Sequence, residues 1–197
     1  MRLGRRREII QERLAPEAMP KAINVFLQLF GLFAIETQGA RAIPFAVRSR
    51  RGRALIAYLA MQPRYRASRQ HLATLLWGDG DGVKARQSLR QCISSLRRDL
   101  HRVPDLFVVD RDSVGLSGQN LTVDAREFAV LGKSSQEGDL ERAVALFHPE
   151  FLADLAIDAE AFDTWRRSEG ENLAEIARRA FVTLSQQRQP PRRRVRR

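Results

Sequence analysis

The stretch Ala85–Leu100, ARQSLRQCISSLRRDL, sets amides, hydroxyls and guanidinium groups at helical spacing. With each residue turning the chain by about 100°, Leu89, Cys92, Ile93, Leu96 and Leu100 fall in one apolar stripe. Opposite that stripe lie Lys84, Gln87, Gln91, Ser94 and Arg98, and Arg86, Arg90 and Arg97 line one flank. Gln and Ser both donate and accept hydrogen bonds, while Arg clamps guanine or grips phosphate. Few carboxylates are present to repel a polyanion. A plain solvated face is also basic in many helices, so the helix's place in the fold has to decide between the two readings. As a DNA-reading helix it would use Lys84, Gln87, Gln91 and Ser94 on base edges. Arg86, Arg90, Arg97 and Arg98 would hold the backbone. Arg64, Arg66 and Arg69 would join them ahead of the preceding helix, where a helix N-terminus meets phosphate.

Other chemistries find less support. Asp79 and Asp81 in GDGDG have two of the oxygen ligands of a calcium loop, but the closing Glu and the remaining ligands are missing, which leaves an interhelical turn. The glycines do not spell GxxxxGK[ST]. His71, His101 and His148 are scattered, with no HExxH and no Cys partner at ligand spacing, so no metal or cofactor is expected. Cys92 sits on the apolar stripe beside Ile93, where a packed thiol is expected rather than a nucleophile. Trp77 and Trp165 read as core anchors, although Trp77 ends a helix beside the GDGDG turn and equally suits a partner surface. No nucleophile–base pair or carboxylate dyad marks an enzyme.

The elements that must position the third helix follow from periodicity. Residues 1–22 read as a basic flexible leader with a short helix at 7–14. Residues 24–30, 32–37 and 43–47 read as strands, the last an edge because Pro44 cannot donate to a ladder. A helix over 52–62 stops before Pro63. Ser68 caps a second helix, Gly78–Gly82 breaks it, and the third runs over about 83–100. LFVVD and SVGL then flank Arg111 as a two-stranded hairpin, the order expected of a winged helix-turn-helix. Arg111 at the tip would enter the minor groove, with Asp110 and Asp112 working against it. Further on, DARE (124–127) reads as a capping box. Leu140, Ala143, Val144 and Phe147, then Leu173 to Leu184, mark two helices of a repeat-like, TPR-like pair. The tail from 189, with two prolines and five arginines, cannot fold alone. The expected class is α+β: an N-terminal antiparallel sheet and winged helix over 23–118, then an all-α segment over 121–188.

Charge divides the same way. Residues 1–104 carry 20 Lys/Arg against 7 Asp/Glu, whereas 105–189 carry 9 against 16. A basic half joined to an acidic one implies two roles, the first directed at a polyanion. One cysteine excludes an internal disulfide framework and fits a reducing cytosol. The longest apolar run, Ala54–Met61, is far too short to span a bilayer.

QSLRQCISSLRRDL resembles the recognition helix of OmpR/PhoB-type winged-helix regulators, and HLATLLWGD resembles their second helix as found in SARP-type bacterial activators. FLADL and AFDTWRRSEGENLAEIARRAFVTL resemble the start of the bacterial transcriptional activator domain that follows the winged helix in that group. The resemblance covers roughly 24–187. It implies a cytoplasmic, nucleoid-associated bacterial regulator of transcription that binds double-stranded DNA. It also implies a four-stranded sheet before the first helix and a homodimer on direct repeats. The turn Gly78–Gly82, with Trp77, Asp79 and Asp81, would touch RNA polymerase. Two departures stand out: the activator domain usually runs much further, and no phosphoacceptor receiver domain precedes the winged helix. A protein-interaction adaptor built on the acidic helical half is the competing reading.

Overall fold

The structure, a computed structural model, describes residues 23–39, 41–78 and 81–188. The leader, its short helix and the arginine tail expected from the sequence lie outside the described residues. Strands β1 (Val25–Gln28) and β2 (Ala34–Thr37) pair antiparallel, with Leu27 opposite Ile35 and both side chains buried. The third strand expected at 43–47 is reduced to a single bridge between Glu36 and Pro44. Phe45 N donates to Ile35 O and Thr37 N to Ile43 O, but Pro44 between them has no N–H to continue the ladder. The four strands implied by the resemblance are therefore not all formed there. Instead β6 (Leu121–Val123), from beyond the wing, lies parallel to β1 and completes the order β2-β1-β6. The sheet is mixed, not purely antiparallel as the sequence led us to expect.

Helix α1 (Arg50–Met61) starts where Ser49 Oγ accepts from Gly52 N at 3.1 Å, and every residue from Ala54 to Ala60 is buried. Helix α2 (Arg69–Trp77) is capped by Ser68, whose Oγ accepts from His71 N. It stops at Gly78, where φ is +79°, a conformation that L side chains rarely adopt. Helix α3 (Gly82–Asp99) follows. A Cβ on Gly52 would lie 2.9 Å from Leu96 Cδ2, so α1 and α3 approach closely there. The wing gains a strand over the two expected: β3 (Arg66–Ser68) joins β4 (Phe107–Val109) and β5 (Ser113–Leu116) in the order β3-β5-β4.

The second half is α4 (Asp124–Leu131), α5 (Glu137–Leu146) and α6 (Glu160–Gln187). Phe128 and Phe147 stack edge and face around Phe30, at centroid separations of 5.3 and 5.7 Å, and so hold this half against the end of β1. The DARE segment does not form the expected capping box. Asp124 lies inside the helix, and Val123 at the N-cap makes no side-chain cap. The Asp124 carboxylate reaches back across the chain and accepts from Leu29 N (2.8 Å), Phe30 N (3.0 Å) and Ala125 N (2.6 Å). Glu127 pairs with Arg142 instead. Burial pushes the Asp124 carboxyl up from its ordinary range, while these backbone donors pull it back.

Replacing Asp124 by Ala removes the acceptor for the buried Leu29 and Phe30 N–H groups. Urea denaturation is expected to show a loss of roughly 2–4 kcal/mol, since each buried donor left unpaired costs about 1–3 kcal/mol. A loss below about 0.5 kcal/mol, the size of an ordinary surface change, would refute this role.

Candidate nucleic-acid interface

Helix α3 presents the two faces its sequence requires. Ala85, Leu89, Cys92, Ile93 and Leu96 are buried in the core that also holds Leu72, Leu75 and Leu76 of α2. Lys84, Gln87, Gln91 and Ser94 are all exposed, as are Arg86, Arg90, Arg97 and Arg98. The row from Lys84 through Gln87 and Gln91 to Ser94 runs along one side of the helix at i, i+3, i+7 and i+10 spacing. None of these four arginines is in an ion pair among the described residues. The helix starts at Asp81, whose Oδ1 accepts from Val83 N (2.9 Å) and Lys84 N (3.1 Å). Its Oδ2 lies 3.3 Å from Lys84 Nζ. The Lys84 backbone and side-chain hydrogen bonds, more than the other contacts, hold the Asp81 carboxyl below its ordinary range. Asp81 is thus occupied as a cap, and Lys84 leans towards it. Asp79 lies outside the described residues.

The wing carries Arg111 exposed at its tip. Asp110, which the sequence set against it, is engaged from the other side: Arg66 reaches its Oδ2 at 2.5 Å and Ser113 Oγ lies 3.2 Å from the same oxygen. Arg66 is thereby turned onto the wing. Arg69 also spans to the wing, its N–H donating to Asp112 O and its guanidinium to Asp110 O at 3.4 Å. Arg64 stays exposed, at φ +55°. Trp77 is half-buried beneath the Arg51 guanidinium, 5.9 Å from the ring centre.

Sequence reasoning missed Arg51 and Arg126 among the residues that join the two halves, and had Trp165 only as a core anchor. Arg51 donates to Leu76 O (2.9 Å) and to Asp158 O (3.0 Å), tying the end of α2 to the segment before α6. Arg126 of α4 donates to Ala60 O and Gln62 O, capping the last turn of α1, and stacks 4.3 Å from the Tyr65 ring centre. Trp165 of α6 meets Tyr58 of α1 edge-on at 4.9 Å, and the Tyr58 hydroxyl lies 2.6 Å from His71 Nε2. Burial pushes the Tyr58 phenol up. No local pattern marks Arg51 or Arg126, because their partners are carbonyls far along the chain.

Among the described residues no group of three or more His, Cys, Asp and Glu is placed to hold a metal ion, and no helix is long and apolar enough to cross a membrane. No family model matches the chain, and no curated protein matches it. Among solved structures it is similar to Mycobacterium tuberculosis EmbR in complex with a low-affinity phosphopeptide, with a TM-score of 0.60 and 20% identity. The match covers 81% of this chain and 46% of that one, so the chain spans about half the length of the protein it resembles. At this identity the likeness is one of fold. It agrees with an α+β arrangement of a winged helix followed by helices.

Cys92 tests how tightly the α3 stripe is sealed. Burial pushes its thiol up to about 11, and alkylation needs the thiolate. Iodoacetamide labelling of the native chain at neutral pH is expected to be about a hundredfold slower than in denaturant, and to keep rising with pH through pH 10. Equal rates in the two conditions would show the stripe open.

Proposed function

We propose that this chain is a sequence-specific DNA-binding regulator of transcription and not an enzyme, with α3 in the major groove and the wing alongside it. The single observation that carries this reading is the exposed row Lys84, Gln87, Gln91 and Ser94 on a helix whose opposite side is buried. Amide and hydroxyl groups displayed on a rigid helix match the donor and acceptor pattern of base edges. The exposed Arg86, Arg90, Arg97 and Arg98 flank that row and supply charge for the backbone. Arg64 and Arg69 extend the basic rim ahead of α2, and Arg111 extends it at the wing tip. Arg66 contributes to the backbone only by exchanging Asp110 for phosphate, so its share is smaller.

The same reading includes two copies on direct repeats. It also assigns the Gly78–Gly82 turn to RNA polymerase. Val83 beside that turn is two-thirds exposed, which suits a protein contact better than a groove contact. A cytoplasmic, nucleoid-associated location belongs to this proposal as well.

Selection of bound duplexes with the purified full chain, at two salt concentrations, tests the reading. A recurring site should emerge, and affinity should fall about a thousandfold between 50 and 200 mM salt if six or so phosphates are contacted. Gln87→Ala with Gln91→Ala should erase the preference among sites while leaving salt-sensitive binding in place. Arg90→Ala should weaken every sequence alike. Equal affinity for all duplexes in the unmodified chain would remove sequence reading from the proposal.

A further inference from the structure

A groove of about 800 Å³ opens between α2 and α6, where the two halves of the chain meet. Tyr58, His71, Thr74, Glu160, Thr164 and Trp165 line it. None of the residues assigned to DNA is among them, and of the turn assigned to RNA polymerase Gly78 alone reaches its edge.

Its walls are rigid and its chemistry is one-sided. Trp165 is fixed by three rings, at centroid separations of 4.9 Å from Tyr58, 5.3 Å from Phe162 and 6.1 Å from Phe151. Tyr58 is almost fully buried and its hydroxyl is committed to His71 at 2.6 Å. Ring surface is therefore offered by the half-buried Trp165, which its neighbours hold in place. The lining contains no Lys or Arg. Glu160 is its only carboxylate, exposed in the first turn of α6 and in no ion pair among the described residues. Thr74 and Thr164 add hydroxyls that both donate and accept.

We propose that this groove binds a small planar aromatic amine, its ring against Trp165 and its ammonium group towards Glu160. The volume suits a ligand of that size. Indole-like rings gain by contact with fixed aromatic side chains. A cation is favoured over its neutral counterpart by the unpaired Glu160 carboxylate, and an anion is disfavoured because that carboxylate repels it and no Lys or Arg lines the site.

Three probes with one ring and different charge test this: tryptamine, indole and indole-3-acetate. The full chain is titrated with each while the Trp165 indole N–H resonance, assigned by its loss in Trp165→Phe, is followed by NMR. Tryptamine should shift that resonance saturably with a Kd of about 1 mM. It should bind about fivefold more tightly than indole, with indole-3-acetate weakest. Glu160→Gln should bring tryptamine and indole level. Ala161→Phe, exposed one helical turn from Trp165, should abolish binding without altering the thermal midpoint. No saturable shift with tryptamine would overturn the proposal. So would an unchanged order of affinities in Glu160→Gln, or undiminished binding in Ala161→Phe.

Discussion

The arrangement rests on the seating of α3 by its apolar stripe. A helix carrying that much exposed guanidinium has little reason to be ordered on its own, since most helical stability in proteins comes from packing an amphipathic face. Burying Leu89, Ile93 and Leu96 in the common core ties its rotation to that of α1 and α2. The close approach at Gly52 then limits how far it can roll: any side chain there would press on Leu96. With the roll fixed, the outward direction of Gln87 and Gln91 is fixed too. A hydrophobic constraint thereby decides which polar groups face outward.

The helical half is built into the same body and does not hang from it as a separate bead. β6 completes the sheet begun by β1, and Asp124 then takes the two N–H groups that β1 leaves beyond its last pairing. Arg126 closes the C-terminal turn of α1, and Arg51 closes that of α2 while also holding Asp158. These are charged groups satisfying backbone carbonyls and amides, which are obligatory partners when water is excluded. Removing the second half would leave the end of β1 and the C-terminal turns of α1 and α2 without those partners. The basic half therefore depends on residues well beyond its own wing.

What could be read from the sequence follows the range of the interactions. The stripe of α3, the Ser68 cap, the stop at Gly78 and the wing hairpin are set by neighbours a few residues apart, and the structure has them where the pattern put them. The outward display of Lys84, Gln87, Gln91 and Ser94 was legible for the same reason. The pairing of β1 with β6 was not, because strands of four and three residues, ninety-odd positions apart, leave no periodic trace. Strand β3 escaped notice for the same cause. Asp124 was misread because an Asp three residues before a Glu looks alike whether its acceptor oxygens serve the local turn or a distant strand. The pairing of Arg66, which the sequence offered for phosphate, was hidden because its partner Asp110 is brought near only by the wing.

Charge segregation in the sequence becomes, in the structure, a difference in availability. In the helical half, Arg142 pairs with Glu127, Arg166 with Asp163, Arg178 and Arg179 with Glu175, and Arg188 with Glu137 and Glu141. Such exposed pairs add little stability, about 0–1 kcal/mol each. Their effect is that those cations are already answered. On α3 only Lys84 has an acidic partner among the described residues, while Arg86, Arg90, Arg97 and Arg98 project with none. A row of unanswered like charges on one helix raises its own electrostatic energy. The chain tolerates that repulsion because the stripe beneath holds the helix in place. On the proposed reading an approaching polyanion relieves it, so the electrostatic cost of building the face is recovered at the moment of binding.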